Sequence, residues 1–314
     1  MKTWLPYIAC LIILALPRSA EAEAREINYL DAHIHFWDVN VQEGLKNWPG
    51  EQNEVLYRTF LPEHYLPQAK KLGITQTVML QSGRTAEEIR WAIKISEPHA
   101  DAFPGLVFNL NAALGKDDFD ALYAEANKSD RFVGVRTLGG NISPKNEQLD
   151  AVIAHLERLA ADNKTLDILT FGCRLRDIAA LAERVPDLRI MVNAKGKVGY
   201  HSLSPDGPSE AWVQEVRQLA KHENIFIKLT GHTMPGVDDP HNPAYFKPYY
   251  DKLLEIVGSK RLVWGSNWPT LLNVEESLEM TVKHPTQHLA GLSVQDRRDI
   301  FQRNAARFYG TPMK

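Results

Sequence analysis

Ile27-Asn28-Tyr29-Leu30-Asp31-Ala32-His33-Ile34-His35-Phe36-Trp37 is the stretch on which the fold turns. An apolar run, Ile27–Leu30, is followed at once by two histidines separated by a single residue. In an extended strand, side chains at i and i+2 point to the same face. His33 and His35 are therefore expected to project side by side, with Asp31 one step behind them on that face. Two imidazoles so placed can share a metal ion or polarise one substrate oxygen; a satisfied polar pair at a strand end is the plainer reading.

Working outward, the same unit recurs: a short apolar β-type run, a turn, then a segment with helical periodicity. The β-type runs are Ile27–Leu30, Thr75–Leu80, Gly105–Leu110, Phe132–Val135, Leu166–Leu169, Leu188–Val192, Ile225–Leu229 and Arg261–Trp264. Several are continuously apolar, as in parallel strands covered on both faces. Between them, Leu149, Val152, Ile153, Leu156 and Leu159 follow the helical i, i+3, i+4 rule, as do Trp212, Val213, Val216, Leu219 and Ala220. Thr85-Ala86-Glu87-Glu88 has the form of a capping box, and Ser293-Val294-Gln295-Asp296 looks like another helix start. Eight such units predict a (β/α)8 TIM barrel, a fold of about 250 residues. A doubly wound open sheet is the runner-up, but no Gly-x-Gly-x-x-Gly follows the first run, so no dinucleotide site is signalled.

Composition narrows the function classes. The chain has 314 residues, 44% hydrophobic and 24% charged, with a formal net charge of −3. This balance gives no basic field for nucleic acid or an anionic membrane. Lys2, the apolar Trp4–Leu16, and the small residues of Ala20-Glu21-Ala22 and Ala22-Glu23-Ala24 read as a signal peptide over 1–24. A single barrel domain over 25–314, secreted or periplasmic, would follow. Once residues 1–24 are cleaved, Cys173 alone remains, which permits neither an internal disulfide nor a cysteine-based zinc site. The expected partner is a small molecule; oligomeric state is not legible.

A barrel carries its functional groups at the C-terminal ends of its strands. Strand by strand these are His33, His35 and Trp37; Gln81; Asn109 and Asn111; Arg136; Thr170 and Arg174; Asn193, Lys195 and Lys197; Lys228, Thr230 and His232; and Ser266, Asn267 and Trp268. The set is polar and net cationic, suited to an anionic or polyhydroxylated substrate. Trp37, Gln81, Arg136, Lys197, His232 and Trp268 are the expected substrate contacts, with both tryptophans lining the mouth. Lys228 is expected to face outward, between strand and helix.

At these residues a resemblance emerges. Asp31-x-His33-x-His35-x-Trp37 together with Trp264-Gly265-Ser266-Asn267-Trp268-Pro269 is similar to the amidohydrolase-related branch of the amidohydrolase superfamily, and within it to sugar lactonases and 2-pyrone-4,6-dicarboxylate lactonase. Val78–Gln81, Phe132–Arg136, Lys228-Leu229-Thr230-Gly231 and Asn304–Gly310 resemble further segments of that group, in order. The resemblance implies a hydrolase of a cyclic ester. In such proteins a strand-8 carboxylate takes a proton from water, while strand-1 and strand-6 histidines, with or without a divalent metal, polarise the carbonyl. It also implies that His33, His35 and the residue at 267 are the catalytic positions, with His33 and His35 the ligands of any zinc ion.

Two departures fall on those groups. Position 267 is Asn where the pattern has Asp; aligning Gly196-Lys197 puts Ala194 where it has His and Asn193 where it has Asp, while a one-residue shift puts Asn193 at the His, and neither placement restores an imidazole. An amide is no general base and a poor metal ligand, so zinc is at most a weakly supported cofactor. His201, His232, His241, Asp38, Asp238 and Asp239 are candidate replacements. Two readings stay open: an exported lactonase-like hydrolase with a rearranged base, and a non-catalytic binding protein on the same barrel.

Overall fold

The computed structural model describes residues 27–41, 49–194, 203–231, 234 and 237–314. The expected signal segment and Lys195, Lys197, His201 and His232 lie outside these. Among the described residues no helix is long and apolar enough to cross a membrane.

Eight parallel strands pair in sequence order: β1 (Tyr29–Ile34), β2 (Ile74–Leu80), β3 (Gly105–Asn109), β4 (Phe132–Leu138), β5 (Thr165–Leu169), β6 (Arg189–Val192), β7 (Ile225–Leu229) and β8 (Leu262–Trp264). The ring is drawn together past the end of β8. The Asn267 amide donates to the His33 carbonyl (2.8 Å) and the His35 amide to the Trp268 carbonyl (2.7 Å). The fold is thus the predicted (β/α)8 barrel. The outer layer includes α1 (Pro62–Lys71), α2 (Ala86–Ser96), α3 (Phe119–Ala126), α4 (Leu149–Ala161), α5 (Leu175–Arg184), α6 (Glu210–Ala220), α7 (Lys247–Ile256) and α8 (Leu278–His288).

Local signals set these boundaries. The Thr85 side chain accepts from the Glu88 amide and Glu88 reaches back, closing the capping box at the start of α2. Ser293 accepts from the Asp296 amide and opens α9 (Val294–Arg298), which passes through a π-helical turn into α10 (Asn304–Tyr309).

Strand alternation sorts the core into two layers. Leu30, Ala32, Val78, Leu80, Val107, Met191, Phe226 and Val263 pack inside the barrel with Ala305, Ala306, Phe308 and Tyr309 of α10. Their neighbours Tyr29, Met79, Leu106, Phe108, Ile190 and Ile227 face the helices. The C-terminal segment closes the floor: Asn304 donates to the Leu262 carbonyl at the start of β8, and Gln76 on β2 to the Pro312 carbonyl. With the floor sealed, the opposite rim is left for chemistry, as the fold requires.

Candidate active site

The first strand runs further than its apolar run suggests, and His33 lies within it. Its register against β2 slips between Asp31 and Ile34. A slip of this kind moves following side chains to the opposite face. Asp31 therefore does not share a face with the histidines. It faces α1, where it accepts from Tyr65 Oη (2.9 Å), and it also accepts from the backbone amides of His33 (3.1 Å) and Ser266 (2.8 Å). Burial pushes its carboxyl up, and these donors oppose the shift. Its role is to clamp β1 to the end of β8. Gly265 permits that approach, since a Cβ there would stand 2.9 Å from the His33 Cβ.

His33 and His35 turn inward, both buried, with their Nε2 atoms 3.1 Å apart. The His35 Nδ1–H donates to the Leu80 carbonyl (2.7 Å), which leaves His35 Nε2 as a lone pair. His33 Nε2–H then donates to it, and His33 Nδ1 is a buried lone pair with no partner. Both rings are neutral. Burial, then Arg136, drives His35 down to about 3; its bond to the Leu80 carbonyl, and to a smaller extent the neighbouring Asn267 amide, only partly oppose the fall. Burial, then Lys228, then His35 lower His33 well below the usual imidazole range.

Two cations create that field. Arg136, on β4, reaches the Gln81 carbonyl and is itself pushed down to about 10 by burial. Lys228 overturns the outward expectation: it is 0% exposed inside the barrel, with Nζ donating to Asp167 Oδ1 (2.6 Å) and to Tyr309 Oη (2.8 Å). Tyr309 also donates to Asp167 Oδ2 (2.9 Å). Lys228 shares its face with Phe226, and Asp167 stands between Leu166 and Ile168, which face the helices. A charged residue inside the apolar run 166–169 was the signal for this triad, since a buried carboxylate requires a partner.

The tryptophans are also placed differently. Trp37 is wholly buried, its indole N–H donating to the Leu56 and Arg58 carbonyls. Trp268 packs among Phe36, Phe60 and Tyr65 at ring separations of 5.2–5.7 Å. Neither lines the mouth. Aromatic rings beside a polar strand end can serve either side of the barrel wall, and here the space between β1 and α1 takes them.

Gln81 is buried at the end of β2, with Oε1 accepting from the Asn109 amide and Nε2 unpartnered. Asn109 and Asn111 are committed to the loops, donating to the Ser82 carbonyl and accepting from the Leu138 amide respectively. Arg174 sits exposed at the start of α5. Asp38 accepts from Thr59 and Asn40 in a surface turn, which holds its carboxyl low despite partial burial. Asn267 and Ala194 both adopt left-handed backbone, φ 64° and 52°. Asn tolerates that region; Ala does so at a cost of about 1–2 kcal/mol.

Among the described residues, no three His, Cys, Asp or Glu side chains converge where a metal ion could sit. Among the described residues the His33–His35 pair faces an amide, the Arg136 guanidinium and the Asp167-paired Lys228, a donor set that does not fit a divalent metal.

Comparison with known proteins follows the same line. The amidohydrolase family model matches residues 30–311. An L-fucono-1,5-lactonase from Burkholderia ambifaria is 30% identical over 243 residues, 76% of this chain and 80% of that protein. An L-fucono-1,5-lactonase from Burkholderia multivorans is 25% identical over 298 residues, covering 90% of this chain and 96% of that one. Among solved structures, an amidohydrolase from Burkholderia multivorans with bound zinc superposes with a TM-score of 0.75 at 20% identity, over 90% of this chain and 99% of that one; this likeness bears on the fold alone. The family match spans all eight strands of the barrel and the helix that seals its floor: the chain belongs to the amidohydrolase family.

Proposed function

We propose that the protein hydrolyses a lactone or related cyclic ester of a small anionic or polyhydroxylated compound at the rim of the barrel. The observation that carries the reading is the neutral His33–His35 pair, with both Nε2 atoms converging on one point beside Arg136. The lactonase names of the two Burkholderia relatives support the substrate class.

In this reading the ester carbonyl replaces His35 as the acceptor of the His33 Nε2–H. Arg136 supplies fixed positive potential where the oxyanion develops. The freed His35 Nε2 lone pair accepts a proton from the attacking water, hydroxide adds to the carbonyl carbon, and the ring C–O bond breaks. His35 returns its proton to the alkoxide, giving the open hydroxy acid. The resting field makes His35 a weak base, but negative charge building on the carbonyl oxygen raises its basicity as the reaction advances. Asn267, an amide beside His35, takes no proton.

The second reading, a binding protein, is favoured by Asn267 and Ala194 and by that suppressed basicity. Hydrolysis of a panel of sugar lactones and cyclic ester acids by the purified protein separates the two. Turnover above buffer, lost in His33→Ala, supports the enzyme; no turnover on any of them supports the binding protein. Export is part of the proposal on the N-terminal pattern of Lys2, Trp4–Leu16 and Ala20–Ala24. Fractionation of expressing bacteria tests it.

A further inference from the structure

Asn193 stands immediately past the end of β6. Met191 is part of the barrel interior, while Ile190 and Val192 face the helices. The Asn193 amide N–H donates to the Ile168 carbonyl (3.0 Å), so the ladder and its alternation continue through Asn193 and its side chain faces inward. It is 2% exposed, yet neither Nδ2 nor Oδ1 has a hydrogen-bond partner. No other described side chain leaves two polar atoms in that condition. Burying an unpaired amide is costly, and native proteins rarely tolerate it without a function. The next residue, Ala194, carries the left-handed φ noted above, and strained backbone clusters at functional sites.

An amide with both ends free discriminates by charge as well as by shape. A carboxylate would satisfy the NH2 group but set negative charge against Oδ1. A hydroxyl, or two neighbouring hydroxyls, can accept from Nδ2 and donate to Oδ1 together. We propose that Asn193 is a specificity-determining residue of the rim site, selecting a hydroxylated ring over a carboxylated or unsubstituted one. This deepens the lactone reading and rests on it.

The test compares D-glucono-1,5-lactone with δ-valerolactone, the same ring with and without hydroxyls, in wild type, Asn193→Leu and Asn193→Ala. Wild type should favour the hydroxylated ring in kcat/KM, and both variants should lose roughly ten-fold or more of that preference, mainly through KM. Calorimetric binding of D-glucono-1,5-lactam and 2-piperidone, which are not turned over, repeats the comparison without chemistry. It therefore tests Asn193 even if no lactone is hydrolysed, an outcome that sinks the lactonase reading alone. Asn193→Leu should also melt higher than wild type, because it removes an unpaired buried amide; a structural role predicts the reverse. Equal weakening of both probes, an unchanged preference, or wild-type preference for 2-pyrone-4,6-dicarboxylate over the hydroxylated ring overturns the proposal.

Discussion

The neutral state of His35 has a consequence for stability that can be measured without knowing the substrate. An unfolded histidine titrates near 6.5, whereas His35 in the fold is held down to about 3. Between those values the unfolded chain binds a proton that the native chain refuses. Stability from this group is thus complete above about pH 6.5 and is lost as pH falls towards 3. One pH unit below the unfolded value corresponds to about 1.4 kcal/mol, so moving from pH 7 to pH 5 should remove about 2 kcal/mol through His35 alone. Other titrating groups contribute to the wild-type slope, so the informative quantity is a difference between two proteins. His35→Asn keeps a donor near the Leu80 carbonyl and abolishes the titration. Urea unfolding of both proteins from pH 7.5 to pH 5 should show the wild type losing about 2 kcal/mol more than the variant. Parallel pH dependence would refute the claim that burial and Arg136 hold His35 neutral.

Lys228→Met leaves the buried Asp167 carboxylate without its ion-pair partner, with Tyr309 as its hydrogen-bond donor and Arg136 as the nearest remaining cation, and should cost about 3 kcal/mol in urea unfolding; adding Asp167→Leu should restore part of the loss, since apolar replacement of a whole buried pair is often near neutral. Asn267→Asp places a carboxylate against His35 in a backbone conformation that Asp tolerates. It should raise the His35 titration, followed by NMR, and increase lactone turnover roughly 100-fold by supplying a general base; an unshifted His35 would show that position 267 does not govern the ring.

Much of the barrel could be read because parallel strands are covered on both sides and leave continuous apolar runs. Ile225–Leu229 was matched residue for residue and Gly105 was placed at the start of β3. The first strand was read short because Asp31 and His33 interrupt its apolar run, although both are buried and bonded. Pattern alone cannot distinguish a polar residue that ends a strand from one whose partners lie elsewhere in the chain. Asp31 depends on Tyr65 and Ser266, 34 and 235 residues away. Lys228 was misplaced for the same reason, since its partners Asp167 and Tyr309 are 61 and 81 residues distant. The face of Asp31 was missed because strand alternation carries no mark of a register slip. Trp37 and Trp268 were placed at the mouth by proximity to polar strand ends, yet their rings fill the gap between β1 and α1.

These contacts separate two jobs that the motif residues perform. Asp31, Gly265 and Ser266 hold the first and last strands together, and Trp37 and Trp268 fill the space behind them. Of the two motifs, His33, His35 and the side chain at 267 are left for the proposed rim site. The backbone at 267 must accept φ 64° and donate to the His33 carbonyl, requirements Asn meets as well as Asp. Exchanging one for the other therefore removes a base while leaving barrel closure, and hence the placement of the histidines, intact. In this chain the two motifs are chiefly occupied with closing the ring. Whether the ring hydrolyses depends on a few atoms that closure does not constrain: His33 Nδ1, His35 Nε2 and the side chains of Asn193 and Asn267.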